Sequence, residues 1–93
     1  MIKSFKDKRT QDFWQSGKAK HLPSEILTRA LLKLEVLDYA YQLEDLRSPP
    51  SNHLEKLSGD LSGFYSIRIN QKWRIIFTFE QGNAYEVSIL DYH

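Results

Sequence analysis

The segment GFYSIRINQKWRIIF, residues 63–77, alternates apolar and polar side chains in two runs that a short polar stretch separates. One side of the two runs is apolar and consists of Tyr65, Ile67, Ile69, Trp73, Ile75 and Phe77. Alternation with a period of two is typical of strands that bury one face. The segment therefore predicts a β-hairpin whose turn lies at Asn70, Gln71 and Lys72.

The register of this hairpin follows from its apolar face, because a slip by one residue would turn every side chain of one strand to the opposite face. The register that keeps the apolar faces together sets Ile67 opposite Ile75 and Arg68 opposite Arg74. Like charges that face each other across two strands are destabilising, so we expect an anion or a carboxylate between the two arginines. On this basis the change Arg74→Ala should cost little stability.

The composition is that of a small globular protein. The chain has 93 residues, of which 41% are hydrophobic, and we expect a single domain over residues 1–93. The absence of cysteine excludes disulfides and thiolate metal sites. His21 and His53 lack the spacing of a metal-binding pair, so we expect no metal or other cofactor. Without a long apolar run or a signal peptide, the expected location is the cytoplasm, with no membrane contact.

The net charge of +1 hides an uneven distribution. Residues 1–20 carry six lysines and arginines against two aspartates, whereas residues 21–60 carry four basic residues against seven acidic ones. A basic N-terminal segment could meet nucleic-acid phosphates. A solvated helix face explains the same charges equally well, so both interpretations stay open.

The N-terminal half predicts a strand and two helices. MIKSF, residues 1–5, alternates like a short strand, and a first helix runs from Asp7 to Gln15 with a stop at Gly17. The second helix starts near residues 23–25. Its apolar stripe has helical spacing and consists of Ile26, Ala30, Leu34, Leu37 and Tyr41.

The C-terminal half predicts strands around the hairpin. Pro49 and Pro50 end the helical region, and HLEKL, residues 53–57, is a candidate for a short strand. In AYEVSILDYH, residues 84–93, the alternation predicts that Tyr85, Val87 and Ile89 pair with Phe79, Phe77 and Ile75. The whole is an α+β fold in which two N-terminal helices pack on one face of a small, mainly antiparallel sheet.

The segment LEKLSGDLSGFYSIRINQKWRIIFTF and the terminal LDYH resemble the RelE/ParE superfamily of bacterial toxins, most closely its HigB branch. MIKSF and LRSPP strengthen this resemblance, which covers essentially the whole chain. It implies a RelE-like β-α-α-β-β-β fold, in agreement with the order derived from periodicity. It also implies a toxin that cleaves mRNA in the ribosomal A site, and so inhibits translation and growth until an antitoxin silences it.

The chemistry that the resemblance implies is RNA cleavage without a metal, in which a ribose 2′-hydroxyl attacks the neighbouring phosphate. Such a step needs a base, an acid and fixed cations. The resemblance assigns Arg74, Asp91, Tyr92 and His93 to the active site. Because arginine binds phosphate oxygens bidentately and stays charged, Arg68 and Arg74 would flank the scissile phosphate.

The general base has two candidates. HigB relatives carry a histidine and a lysine before the GD pair, at positions that Glu55 and Ser58 occupy here, while His53 and Lys56 lie close by. Either Glu55 accepts the proton, or a small shift of the loop lets His53 and Lys56 serve. The expected RNA-binding residues are Arg68, Lys56, His53 and Lys72.

The resemblance also implies partners: a HigA-like helix-turn-helix antitoxin, the ribosome with its mRNA, and operator DNA through the antitoxin complex. Two alternatives stay open. ParE-like relatives inhibit DNA gyrase without nuclease activity, and the terminal DYH argues against this because a gyrase inhibitor has no use for it. A non-catalytic RNA-binding module would depend on the arginines but would tolerate the loss of Tyr92 and His93.

Overall fold

A computed structural model of the chain describes residues 1–91. Within this range the helices and strands are α1 (Lys8–Ser16), α2 (Leu27–Tyr39), β1 (Glu55–Lys56), β2 (Tyr65–Arg68), β3 (Trp73–Glu80) and β4 (Asn83–Asp91). The strands form an antiparallel sheet in the order β1-β2-β3-β4. The predicted α+β fold is confirmed. No helix within residues 1–91 is long and apolar enough to cross a membrane.

The helix α1 lies within one residue of its predicted limits at each end. The Asp7 carboxylate accepts a hydrogen bond of 2.8 Å from the backbone N–H of Thr10, which satisfies a donor that the first turn leaves free. The helix ends at Gly17, whose φ of 75° lies in the left-handed region that glycine adopts without steric cost. Both ends are therefore set by local side-chain and backbone chemistry.

The helix α2 supplies the apolar stripe, but it ends earlier than the spacing predicts. Its Ala30, Leu34 and Leu37 are fully buried against the sheet residues of one core cluster. The backbone becomes extended at Ala40, and Tyr41 is 86% exposed. The inclusion of Tyr41 in the core stripe was wrong, because its N–H is instead capped by a carboxylate of the following turn.

The hairpin of β2 and β3 has the predicted register. Tyr65 pairs with Phe77, and Arg68 pairs with Arg74. The turn is closed by Asn70, whose Oδ1 accepts hydrogen bonds from the backbone N–H groups of Lys72 and Trp73, over 2.8 and 2.7 Å. The apolar face of the hairpin lies in the same core as the helices.

The pairing of β3 with β4 is only partly as predicted. Ile75 pairs with Ile89, but Phe79 pairs with Ala84 rather than with Tyr85. A β-bulge separates the two halves of the ladder, and Glu86 within it has a φ of 53°. An extra residue on one strand shifts the alternation beyond it, so the prediction that Tyr85 faces the core opposite Phe79 was wrong.

The N-terminal segment is not a regular strand. Ile2 and Phe5 form isolated parallel bridges to Ala84 and Val87 of β4. These bridges lie on either side of the bulge at Glu86, which interrupts the ladder between them. The predicted first strand of the β-α-α-β-β-β order is therefore replaced by two separate bridges along the edge of β4.

Candidate functional site

Arg74 lies on the face of the sheet opposite the helices, and its guanidinium is held by neighbouring groups. Its Nε donates to Ser66 Oγ over 2.8 Å, and its Nη2 donates to the carbonyl of His53 over 2.6 Å. The same Nη2 lies 3.4 Å from a carboxylate oxygen of Glu55. Arg74 is only 6% exposed. The guanidinium is thus fixed by the fold, and a carboxylate lies beside it.

The loop before β1 brings the His53 carbonyl to this guanidinium. A turn of 3₁₀ helix at Pro50–Asn52 ends at His53, which has a left-handed backbone with φ of 43°. The buried side chain of Asn52 donates to the carbonyls of Leu46 and Ser48, over 3.1 and 3.2 Å. Because these bonds satisfy the polar groups of the loop internally, the loop keeps a defined shape at the edge of the sheet.

The short strand β1 separates the two candidates for the general base. Glu55 pairs with Ser66, and Lys56 pairs with Tyr65. Successive side chains of a strand point to opposite faces, so Glu55 shares the face of Arg74 whereas Lys56 does not. The Glu55 side chain is 51% exposed, which leaves it accessible from solvent. The structure therefore brings Glu55, and not Lys56, to the guanidinium.

Lys72 and Asp91 form an ion pair near the same end of the sheet. Lys72 Nζ lies 3.4 Å from Asp91 Oδ2, and both side chains are partly exposed. Exposed pairs of this kind add little stability. Asp91 pairs with Trp73 in the ladder, whereas Arg74 pairs with Leu90. Because successive strand residues alternate in direction, Asp91 shares the face of Trp73 rather than that of Arg74. The predicted catalytic residues Tyr92 and His93 lie outside the described residues.

Arg68, opposite Arg74, borders a cleft of about 420 Å³ that we call the basic cleft. Its walls include Arg29, Lys33, Ser51, His53 and Arg68. The Arg68 Nε is buried and has no hydrogen-bond partner among residues 1–91. None of the described residues that line the basic cleft is acidic. Positive charge therefore accumulates there without a carboxylate on its walls.

Two residues of the basic cleft were missed in the sequence. Arg29 and Lys33 come from α2 and are four positions apart, so they lie on one face of the helix. Partial burial, and secondly the charge of Arg29, lower the pKa of the Lys33 amine below its ordinary value. That amine also donates to Asn52 Oδ1. The available signal was a like-charge pair at this helical spacing, which is unfavourable unless something compensates it.

The arrangement suits the binding of an anion next to a group that can accept a proton. Arg74 offers a fixed positive charge, Glu55 offers a carboxylate, and the basic cleft extends the positive surface past Arg68. Within residues 1–91, no three histidine, aspartate or glutamate side chains lie close enough together to hold a metal ion.

Comparison with known proteins gives a coherent set of similarities. Residues 3–93 match the family model described as the RelE-like toxin of type II toxin-antitoxin system HigB. The protein named Toxin HigB-1 from Vibrio cholerae is 44% identical over 85 residues, which is 90% of each chain. The protein named Endoribonuclease HigB from Proteus vulgaris is 34% identical over 93 residues, which is the full length of both chains.

A solved structure supports the fold independently. The YoeB-YefM complex from Staphylococcus aureus matches with a TM-score of 0.62 and 23% sequence identity, over 100% of this chain and 95% of the other. At this level of identity the similarity concerns the fold, and it agrees with helices packed on an antiparallel sheet.

Proposed function

The chain belongs to the HigB-like family of RelE-like toxins of type II toxin–antitoxin systems, and from that premise we propose that it is an endoribonuclease that cleaves mRNA in the ribosomal A site. The observation that carries the proposal is the guanidinium of Arg74, held by Ser66 and the His53 carbonyl beside the Glu55 carboxylate. A charge that is fixed before the reaction stabilises a developing anion without reorganisation.

The proposed reaction needs no metal. A ribose 2′-hydroxyl attacks the adjacent phosphorus, the bond to the 5′ oxygen breaks, and the products carry a 2′,3′-cyclic phosphate and a 5′-hydroxyl. Arg74 stabilises the charge that grows on the phosphate oxygens, with Arg68 across the strand pair. Among the described residues, the half-exposed Glu55 is our candidate for the base that accepts the 2′ proton.

The C-terminal residues complete the proposed site. Asp91, which forms an ion pair with Lys72 at the end of β4, would orient the residues that follow it. We assign the protonation of the leaving oxygen to His93, because an imidazole exchanges protons near neutral pH. Tyr92 would stack on a base, an interaction worth about 1–3 kcal/mol. Among the RNA-binding residues, Lys72 and His53 would contact the strand around these groups, whereas Lys56 lies on the opposite face of the sheet.

Ribosome dependence is part of the proposal. Much of a reaction barrier is overcome by holding the reacting atoms in line, and the described site is an open surface rather than a closed pocket. The ribosome would orient the message, so free RNA should be cut poorly. A nuclease of this kind acts where translation takes place, which places the proposed activity in the cytoplasm.

The family assignment supports an antitoxin partner. We propose a HigA-like protein with a helix-turn-helix, which would hold the toxin silent and link it to operator DNA. The family model and the name of the Proteus vulgaris relative favour RNA cleavage over the ParE-like inhibition of DNA gyrase.

The test is primer extension on a reporter mRNA in a cell-free translation reaction, with and without ribosomes. We expect cleavage only with ribosomes, with the two end groups named above. A variant that lacks Tyr92 and His93 should not cleave, although its thermal midpoint should move by no more than about 5 °C. Intact message together with gyrase-dependent DNA breaks would refute the proposal. A truncated protein that cleaves at the original rate would assign the catalysis to His53 and Glu55 instead.

A further inference from the structure

The basic cleft is formed by segments that are distant in the sequence. Arg29 and Lys33 come from α2, His53 comes from the loop before β1, and Arg68 comes from the end of β2. Each carries or can carry a positive charge, and the described residues on the walls include no acidic side chain. A fold that gathers like charges in one cleft is stabilised by any anion that enters it.

The polar groups of the cleft are not all satisfied by the protein. Arg68 Nε is buried and has no hydrogen-bond partner within residues 1–91. A buried donor without an acceptor costs free energy that a ligand oxygen would recover. Burial, and secondly the charge of Arg29, lower the pKa of Lys33. A bound anion would offset the effect of Arg29.

Two residues of the cleft, Arg68 and His53, also neighbour Arg74. Arg68 pairs directly with Arg74 across β2 and β3. His53 contributes its carbonyl to Arg74 and lies on the wall of the cleft. A strand of RNA whose scissile phosphate lies at Arg74 would therefore bring a neighbouring phosphate to the cleft.

We propose that the basic cleft of Arg29, Lys33, His53 and Arg68 is a second phosphate-binding site, which holds a backbone phosphate of RNA next to the one that is cleaved. Arginine and lysine contacts to phosphate position a nucleic acid without reading its sequence. The cleft would thus fix the path of the strand past Arg74 for any base. This inference rests on the proposed function, since it takes RNA as the ligand.

The test is the binding of a short single-stranded RNA with 2′-O-methyl riboses, which lack the attacking hydroxyl and stay intact. Arg29→Gln is the main variant, because Arg29 makes no hydrogen bond or ion pair within residues 1–91 whose loss would disturb the fold. We expect its affinity to fall about tenfold. The slope of log affinity against log salt should shrink by about 0.7, the value for one phosphate contact to a single strand.

Matched variants separate the cleft from general charge. Arg47→Gln removes the same charge from an exposed arginine that is paired with Glu44, and it should bind like the unmodified protein. Lys33→Met should weaken binding as Arg29→Gln does. In the unmodified protein, the lysine ¹³Cε signal of Lys33 should titrate at higher pH when RNA is bound, because the phosphate favours the charged amine.

Several outcomes would overturn the inference. Unchanged affinity and salt slope in both cleft variants would do so, and so would an equal loss in Arg47→Gln. If RNA binding is unchanged but antitoxin binding is lost, the cleft is an antitoxin site and the inference is wrong. Weaker binding of the oligonucleotide supports the assignment of the phosphate to message. Weaker binding of vacant ribosomes alone would assign the contact to ribosomal RNA and would also overturn the inference. Failure of the unmodified protein to cleave mRNA refutes the proposed function, whereas these binding measurements do not depend on cleavage.

Discussion

Arg68 and Arg74 face each other in one hairpin, yet the fold treats them differently. Arg74 is nearly buried and bonds to Ser66 and to the carbonyl of His53. Arg68 borders a cleft, and its Nε has no hydrogen-bond partner within residues 1–91. The environments of two directly opposed residues therefore depend on what lies beyond the hairpin rather than on the register itself.

The difference arises just before β1 begins. Glu55 pairs with Ser66, so a longer strand would place residue 53 opposite Arg68. His53 instead has a left-handed backbone, and the chain turns away there. The loop at His53 therefore reaches the Arg74 guanidinium, whereas Arg68 borders the basic cleft. One arginine becomes part of the structure and the other becomes available to a ligand.

The largest expected effect comes from Arg74→Ala. It removes a buried guanidinium and leaves Ser66 Oγ without its donor, so we expect a loss of about 2 kcal/mol in the free energy of unfolding. The thermal midpoint should fall by about 10 °C. The register alone predicted that this change would cost little stability, and the buried contacts of Arg74 predict the opposite. Circular dichroism measures the midpoint, and mRNA cleavage well below that temperature should be undetectable. An unchanged midpoint would show that the burial of Arg74 contributes nothing to stability.

A smaller effect is expected from Ser66→Ala, which removes only the acceptor of the Arg74 Nε. We expect a loss of about 1 kcal/mol, with cleavage reduced but present because the His53 carbonyl still holds the guanidinium. Ser88→Ala is the matched control. Ser66 and Ser88 flank Ile76 in the sheet, but the buried Ser88 Oγ has no partner within residues 1–91. Equal losses from the two serines in urea denaturation would contradict the role given to Ser66.

The smallest effect on stability is expected from Arg68→Ala. Its loss removes an unpaired buried donor and a like charge opposite Arg74, so the free energy of unfolding should stay within about 0.5 kcal/mol. Cleavage on the ribosome should fall, but less than for Arg74→Ala. Arg68→Lys, which keeps the charge, should retain most of the activity. A large loss of stability in Arg68→Ala would show that Arg68, like Arg74, stabilises the fold.

Local signals predicted much of the fold. The ends of α1 follow from Asp7 and Gly17, and the register of the hairpin follows from alternation, because both depend on residues a few positions apart. The pairing of Phe79 was missed because the bulge at Glu86 depends on the N-terminal segment, whose Ser4 Oγ accepts from the Glu86 N–H. No pattern within β4 contains that information.

The candidate site divides in the same way. The sequence placed Arg68 and Arg74 opposite each other and marked Glu55, Lys72 and Asp91 as residues of interest. It did not show which of Glu55 and Lys56 shares the face of Arg74, since that depends on how a two-residue strand pairs. The roles of Tyr92 and His93, which lie outside the described residues, stay predictions from the family resemblance.

The sequence by itself determined which side chains share a face, because alternation along a strand and spacing along a helix are properties of consecutive residues. It thereby determined the apolar core, the hairpin and the opposed arginines. Only the tertiary structure decided that the loop at His53 covers Arg74 and that α2 brings Arg29 and Lys33 to Arg68. Burial, and with it the difference between a structural and an available charge, depends on which distant segment lies over a residue, and no local pattern encodes that.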